Sequence, residues 1–276
     1  SNSDLSSVSL FYNGLGLAYK KKDQELDASS SLDFTFLDLS VENYNIAHNI
    51  NPNKNYNEEI LNISKFLTNK GKSSMKADEL ENALNYFNKA IEYSPNYSLA
   101  NFYLGNLYMK IQDYELAAES YQTGLGKAAK DGNPKILYLL GQCYVRLEQF
   151  DLAKQFFEYA INNKSAYTKA EFALANVYFS QQDYNNAEKY IKQILSHDSE
   201  YTKAYELLVN VYIEKNDFIT AKSYALDGIA VNSRSSILFS QLAFLENENK
   251  LYNNAVEFAD KALSIDRRFG PALIEL

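Results

Sequence analysis

The sequence predicts an all-α fold, a stacked array of helix–turn–helix units, on three observations. Residues 168–201 and 202–235 are two 34-residue copies of one pattern laid end to end. Ala170, Tyr178, Tyr184 and Ala187 in the first answer to Ala204, Tyr212, Phe218 and Ala221 in the second. One small residue recurs at Ala83, Ala117, Ala153, Ala187, Ala221 and Ala255, with spacings of 34, 36, 34, 34 and 34. An aromatic stands three residues before each of the last five: Tyr114, Phe150, Tyr184, Phe218 and Tyr252. Self-similarity at a fixed period of this length marks a repeat array, because a lone helix pair cannot bury its own apolar face and a stacked neighbour supplies the missing wall.

The elements follow in order. Residues 1–8 are polar and read as a frayed tail or tag remnant. Leu10 to Lys20 has helical spacing, and Leu15, Gly16 and Tyr19 fall where later repeats place Leu104, Gly105 and Tyr108. The charged, Ser-rich stretch 21–31 reads as an extended loop. A second helix over roughly 31–50 ends before Pro52. Residues 9–54 are thus expected to be a degenerate repeat whose inter-helix turn has grown by about a dozen residues. Residues 55–97 form a divergent repeat. Ile60, Ile63 and Leu67 share one helix face over 55–76, Gly71 with Ser73 and Ser74 weakens its second half, and an amphipathic helix over 79–94 stops at Pro95. The regular array covers 98–269 as units 98–131, 134–167, 168–201, 202–235 and 236–269. The one 36-residue spacing marks a two-residue insertion in the Gly/Asn/Pro turn at 130–134. Residues 270–276 open a capping or further helix, with Pro271 at its start.

Each recurring position has a packing reason. The alanines let two helices approach closely where they cross. The aromatics fill the wedge between neighbouring units. Asp113, Asp183 and Asp217 precede second helices, where a carboxylate accepts from unpaired N–H groups, a cap worth about 1 kcal/mol.

Composition excludes several classes. Ten glycines, four prolines and 46% hydrophobic residues in 276 describe an ordered, helix-rich chain. A formal charge of −8 opposes non-specific nucleic-acid binding, which needs clustered cations. No window approaches the roughly 18 consecutive apolar residues of a membrane span. Cys143 is the single cysteine, so neither an intramolecular disulfide nor a thiolate metal cluster can form. It shares a repeat position with Leu107, Val177, Val211 and Leu245 and reads as a buried core residue. His48 and His197 are read as structural or solvated, and no metal or other cofactor is expected. Gly124 to Lys127 lacks the earlier glycine and the final Ser/Thr of a phosphate loop, since Tyr121 and Ala128 stand there. The compartment is open: cytoplasmic, or exported or membrane-anchored if an N-terminal signal precedes Ser1.

The stretches NFYLGNLY (101–108) with DYELAAESYQTG (113–124), and LYLLGQCY (137–144) with FDLAKQFFEYA (150–160), resemble the tetratricopeptide repeat family. The resemblance is strong over 98–269, moderate over 64–96 and weak over 9–52. The family's glycine is replaced by Ala175, Val209 and Ala243, and its terminal proline survives only at Pro52 and Pro95. The resemblance implies a right-handed superhelical solenoid of antiparallel helix pairs, with a concave groove formed by positions 2, 5, 9, 12 and 13 of each first helix. Carried over, these are Leu99, Phe102, Asn106, Met109 and Lys110, then Lys135, Tyr138, Gln142, Val145 and Arg146. The next two units supply Lys169, Phe172, Asn176, Phe179 and Ser180, then Lys203, Glu206, Asn210, Ile213 and Glu214.

Two stripes emerge from this set. Asn106, Gln142, Asn176 and Asn210 form an amide ladder able to pair with any peptide backbone. Phe102, Tyr138 and Phe172 form an aromatic row able to line side-chain pockets. Met109, Lys110, Arg146 and Phe179 complete the expected peptide-binding site. Phe102 stands where the family's carboxylate clamp has its first lysine, so that activity is not expected. The expected function is a non-enzymatic scaffold for an extended peptide or partner helix. The alternatives are a self-assembly module and, more weakly, the adaptor part of a longer enzyme.

Overall fold

The computed structural model describes residues 2–26, 33–52, 56–126, 132–165 and 167–267, which form fourteen helices and, among the described residues, no strand. The chain divides into two compact units, Ser1–Ala129 and Lys130–Leu276.

The first unit holds α1 (Asn2–Leu26), α2 (Thr35–Ile50), α3 (Asn57–Lys76), α4 (Leu80–Tyr93), α5 (Ser98–Lys110) and α6 (Tyr114–Leu125). They pair as α1 with α2, α3 with α4 and α5 with α6, and α5 also packs on α3 and α4. The second unit holds α7 (Pro134–Arg146), α8 (Phe150–Asn163), α9 (Thr168–Ser180), α10 (Tyr184–His197), α11 (Thr202–Glu214), α12 (Phe218–Val231), α13 (Ser236–Glu248) and α14 (Tyr252–Ile265). Here α7, α9, α11 and α13 touch in sequence as one layer, and each pairs with the helix that follows it. Helices α8, α10 and α12 also pack on the first helix that follows, which buries the face a lone pair would expose.

The recurring alanines lie at the crossings: Ala83, Ala117, Ala153, Ala187 and Ala221 are 0% exposed. The glycines of the first helices have a matching cause. A Cβ on Gly71, Gly105 or Gly141 would lie 2.6, 2.6 or 2.4 Å from the ring of Phe87, Tyr121 or Phe157, so each ring seats on bare backbone. In the last three pairs Ala175, Val209 and Ala243 take the glycine's place, and Ile191, Ala225 and Ala259 stand where the ring was. Gly71, expected to weaken α3, therefore does the opposite: it is the seat for Phe87.

The same contact measures the first pair. A Cβ on Gly16 would lie 2.9 Å from the Tyr44 ring. Glycine and ring are 28 positions apart there, against 16 in the pair Gly71 and Phe87, which is the expected dozen-residue excess. The excess is not the loop expected at 21–31, because α1 runs on to Leu26. Lys, Gln, Glu and Leu all favour helix, and Lys20 is tied to Glu59 of α3 at 3.0 Å. Residues 27–32 lie outside the described residues. The stretch 1–8, expected to fray, is helical from Asn2. Its continuation is pinned at Ser9, whose Oγ donates to the Ala47 carbonyl at 3.2 Å and shares a 2.7 Å hydrogen bond with Tyr56. The helix expected over 270–276 also lies outside the described residues.

Turns within pairs repeat one geometry. Asp78, Gln112, Glu148, Gln182, Asn216 and Lys250 have φ between 57° and 66°, the left-handed region. The next residue's N–H then reaches back five residues, as Asp113 does to Tyr108 at 2.9 Å and Asp183 to Tyr178 at 2.9 Å, satisfying a terminal carbonyl. The expected caps are present. The Leu116, Asn186 and Thr220 amides each donate to Asp113, Asp183 and Asp217 at 3.1 Å. Side-chain hydrogen bonds from Asn186 and Thr220, together with those backbone bonds, hold the Asp183 and Asp217 carboxyls below the usual carboxylate range.

Candidate functional site

The site expected from the sequence is carried on α5 in the first unit and on α7, α9 and α11 in the second. On α5, Asn106 accepts a 2.8 Å hydrogen bond from the Tyr121 hydroxyl. Phe102 is half-buried against Tyr103 and Tyr121, at ring separations of 5.2 and 6.2 Å. Met109 is half-buried, and Lys110 reaches Asp78 at 2.5 Å in the turn before α4.

In the second unit the structure brings four expected residues around one cavity of about 580 Å³ between α7 and α9: Gln142, Arg146, Asn176 and Phe179. Val145 and Ser180, also groove positions, line it too, and Phe157 and Val177 form its buried floor. Gln142 Nε2 donates to the Tyr138 hydroxyl at 2.9 Å, and Asn176 Nδ2 donates to the Phe172 carbonyl at 2.7 Å. Their amide oxygens have no hydrogen-bond partner among the described residues and remain acceptors. Asn210 is used differently: its Oδ1 accepts from Gln241 Nε2 at 2.7 Å, which links α11 to α13. The amide ladder is therefore half engaged within the chain, each rung keeping one side of its amide.

The aromatic row is also partly covered. Tyr138 packs on Tyr167 at 5.8 Å and Phe172 on Tyr201 at 5.4 Å. Tyr167 and Tyr201 stand just before α9 and α11. Sequence reading missed them because they lie outside the helical positions carried over, although their 34-residue spacing was visible.

Other titratable groups are structural. Cys143 is fully buried, and burial pushes its thiol up to about 12. His197 closes over Glu171, a carboxylate 0% exposed, at 2.7 Å, and Gln193 donates to the same carboxylate at 2.8 Å. Among the described residues no group of three or more His, Cys, Asp or Glu is placed to hold a metal ion, and no helix is long and apolar enough to cross a membrane.

The class that this fold and face define is a helix-pair repeat array of the interaction-scaffold kind. Two family models described as tetratricopeptide repeat match the chain, one at residues 68–134 and 105–168 and the other at 169–201. Residues 68–201 are thus tetratricopeptide repeats. No curated protein matches the chain. Among solved structures it is similar to PilW, a widely conserved type IV pilus biogenesis factor, at a TM-score of 0.63 and 15% identity, covering 77% of this chain and 97% of that one. It is similar to YrrB, a repeat protein with an unusual peptide-binding site, at 0.54 and 20%, covering 68% and 96%. It is also similar to a tetratricopeptide repeat protein from Parabacteroides merdae, at 0.55 and 17%, covering 95% and 98%. At these identities the likeness shows the fold alone.

Proposed function

We propose that the chain is a non-enzymatic scaffold that holds an extended protein segment along its first helices. The observation that carries this is the cavity between α7 and α9, where Gln142, Arg146, Asn176 and Phe179 converge. Two amide oxygens with free acceptor capacity suit the N–H groups of an extended chain, each bond worth about 0.5–1.5 kcal/mol net. YrrB, of the same fold, is described as having a peptide-binding site, which supports the reading. The division into five regular units over 98–269, with a divergent pair and a degenerate pair before them, belongs to the same proposal. The negative charge speaks against nucleic acid as the partner.

The test is a random twelve-residue phage library panned on the protein, with the selected peptides measured against Asn176→Ala. Affinity is expected to fall by about threefold to tenfold, one hydrogen bond's worth, with an unchanged melting temperature, because the side chain is exposed and alanine favours helix. Selected peptides that bind this variant and Gln142→Ala as well as the parent would refute the proposal.

A second reading, self-assembly, is favoured by the outer stripe of α1, where Leu10, Phe11 and Leu17 are 52%, 62% and 43% exposed. Light scattering over a hundredfold concentration range checks it; a constant monomer mass rejects it.

A further inference from the structure

Helix α12 differs from every other second helix on its outer side. Ile219, Ser223, Leu226 and Ala230 are all exposed, Ile219 at 87%. Steps of four, three and four residues put them on one narrow face, opposite the buried Ala221, Ala225 and Gly228. The register can be counted from the recurring alanine, or in α2 from Ser40, which precedes the Tyr44 ring by four residues as Ala83 precedes Phe87. At the first three of these positions α2, α4, α6, α8, α10 and α14 carry only Asp, Glu, Asn, Gln or Lys. A lone exposed leucine is ordinary on a protein surface. An apolar row where six register-matched helices are polar marks a face that something covers.

Size and charge say what covers it. Large and small alternate along the row as Ile, Ser, Leu and Ala, at the spacing with which two helices interlock side by side. Turned end for end, the same row reads small, large, small, large. A second α12 laid antiparallel therefore sets Ile219 against the Ala230 of the other copy and Leu226 against its Ser223, at one even separation. Both contacts occur twice about a two-fold axis, as an interface between identical chains requires. The row itself carries no charge, and Lys222 on one flank is tied to the buried Glu246 at 2.5 Å. Asp227 lies on the other flank, toward Tyr205 of α11. In the turned pair it comes level with position 222 of the other copy, beside Lys189 of α10, which holds the register of Ser223. Acid meets base there, again twice.

We infer that α12 is a self-association face, through which two copies of the chain pair antiparallel by Ile219, Ser223, Leu226 and Ala230. The first helices of both copies stay open, so the dimer presents two docking faces. Helix α12 has 14 residues and is about 21 Å long. Its contact belongs at the small, transient end of specific interfaces, with a Kd on the order of 10–100 µM. The inference stands apart from the docking face on α7 and α9 and from the stripe on α1.

Sedimentation equilibrium of the whole chain from about 1 µM to about 1 mM tests it. The mass is expected to rise from one chain toward two. Ile219→Asn combined with Leu226→Lys copies Asn185 and Lys192 of α10, so the variant should fold. It is expected to stay at one chain throughout, with the parent's circular dichroism. Phe11→Ser, on the α1 stripe, is expected to dimerise as the parent does. For the orientation, an equal mixture of Ile219→Cys and Ala230→Cys chains is expected to crosslink under mild oxidation, and neither chain alone; the native Cys143 is buried. The inference is overturned if the parent stays at one chain up to millimolar concentration, or if the double variant dimerises like the parent. It is equally overturned if Phe11→Ser abolishes the dimer, or if Ile219→Cys crosslinks alone. A one-chain parent that floats with phosphatidylglycerol vesicles, when the double variant does not, would give the row to a lipid surface and overturn it too.

Discussion

Helix pairs α3/α4, α5/α6 and α7/α8 differ from α9/α10, α11/α12 and α13/α14 in where they put volume. The first three set a bare glycine against a ring: Gly71 with Phe87, Gly105 with Tyr121, Gly141 with Phe157. The last three put a side chain on both helices, as Ala175 with Ile191, Val209 with Ala225 and Ala243 with Ala259, all 0% exposed. Ala175 with Ile191 shares its volume between both helices, while Val209 with Ala225 and Ala243 with Ala259 place less side-chain volume there than a ring does. What a glycine-and-ring pair adds is directionality: the ring fits only over bare backbone, whereas the distributed pairs tolerate exchange.

The same exchange of chemistry occurs between pairs. Lys154 lies over the Tyr178 ring at 5.6 Å where α8 meets α9. One repeat later Glu188 accepts from the Tyr212 hydroxyl at 2.8 Å, and two repeats later Lys222 pairs with the buried Glu246 at 2.5 Å. The register position is constant while its chemistry moves from cation–π to hydroxyl–carboxylate to ion pair.

The largest effect expected is on a ring. Phe157→Ala should cost about 3–5 kcal/mol, because it leaves a hole over Gly141 that no side chain enters. Ile191→Ala, against Ala175, should cost less, about 2–4 kcal/mol. Urea denaturation compares them, and equal losses would break the distinction. Next comes Gly141→Ala, which adds a Cβ 2.4 Å from the Phe157 ring. A net loss of about 1–3 kcal/mol is expected despite alanine's better helix propensity. Combined with Phe157→Ile, which copies the Ala175 and Ile191 pair, the double variant should be more stable than the sum of the singles by at least about 1 kcal/mol.

The junctions differ in acid. Burial raises the Glu188 carboxyl, but hydrogen bonds from Lys192, Lys215 and Tyr212 outweigh it and hold the group at about 2. A depressed folded pKa gives stability that is complete above the unfolded value, about 4.3, and is lost as pH falls through the folded one. The loss expected between pH of about 4.5 and 2 is on the order of 1–2 kcal/mol after screening, since Lys192 is 47% exposed. Glu188→Gln should flatten that part of the pH profile, and an unchanged slope would contradict the assignment. The smallest effect is in the turns. Gln182 adopts φ 61°, and Gln182→Gly should stabilise by up to about 1 kcal/mol, read as a rise in melting temperature of a few degrees.

Much of this was legible in the sequence because it is periodic. The alanines, the aspartate caps and the dozen-residue excess of the first pair all follow from counting. Gly71 was not, because a glycine reads as a weak point until the ring crossing it, sixteen residues on, is known. The left-handed turns were hidden for a different reason: Asp78, Gln112, Glu148, Gln182, Asn216 and Lys250 include no glycine to announce a positive φ. At the candidate site the sequence places the amides correctly on α7 and α9 but says nothing of which amide atom turns inward. That choice depends on the Tyr138 hydroxyl and the Phe172 carbonyl and decides what the face offers a partner.

The most direct measurement is a crystal structure of the chain with a phage-selected peptide bound. The account predicts an extended backbone lying along α7 and α9, its N–H groups donating to Gln142 Oε1 and Asn176 Oδ1. A peptide lying on α8 and α10 instead, or held without either amide, would contradict it.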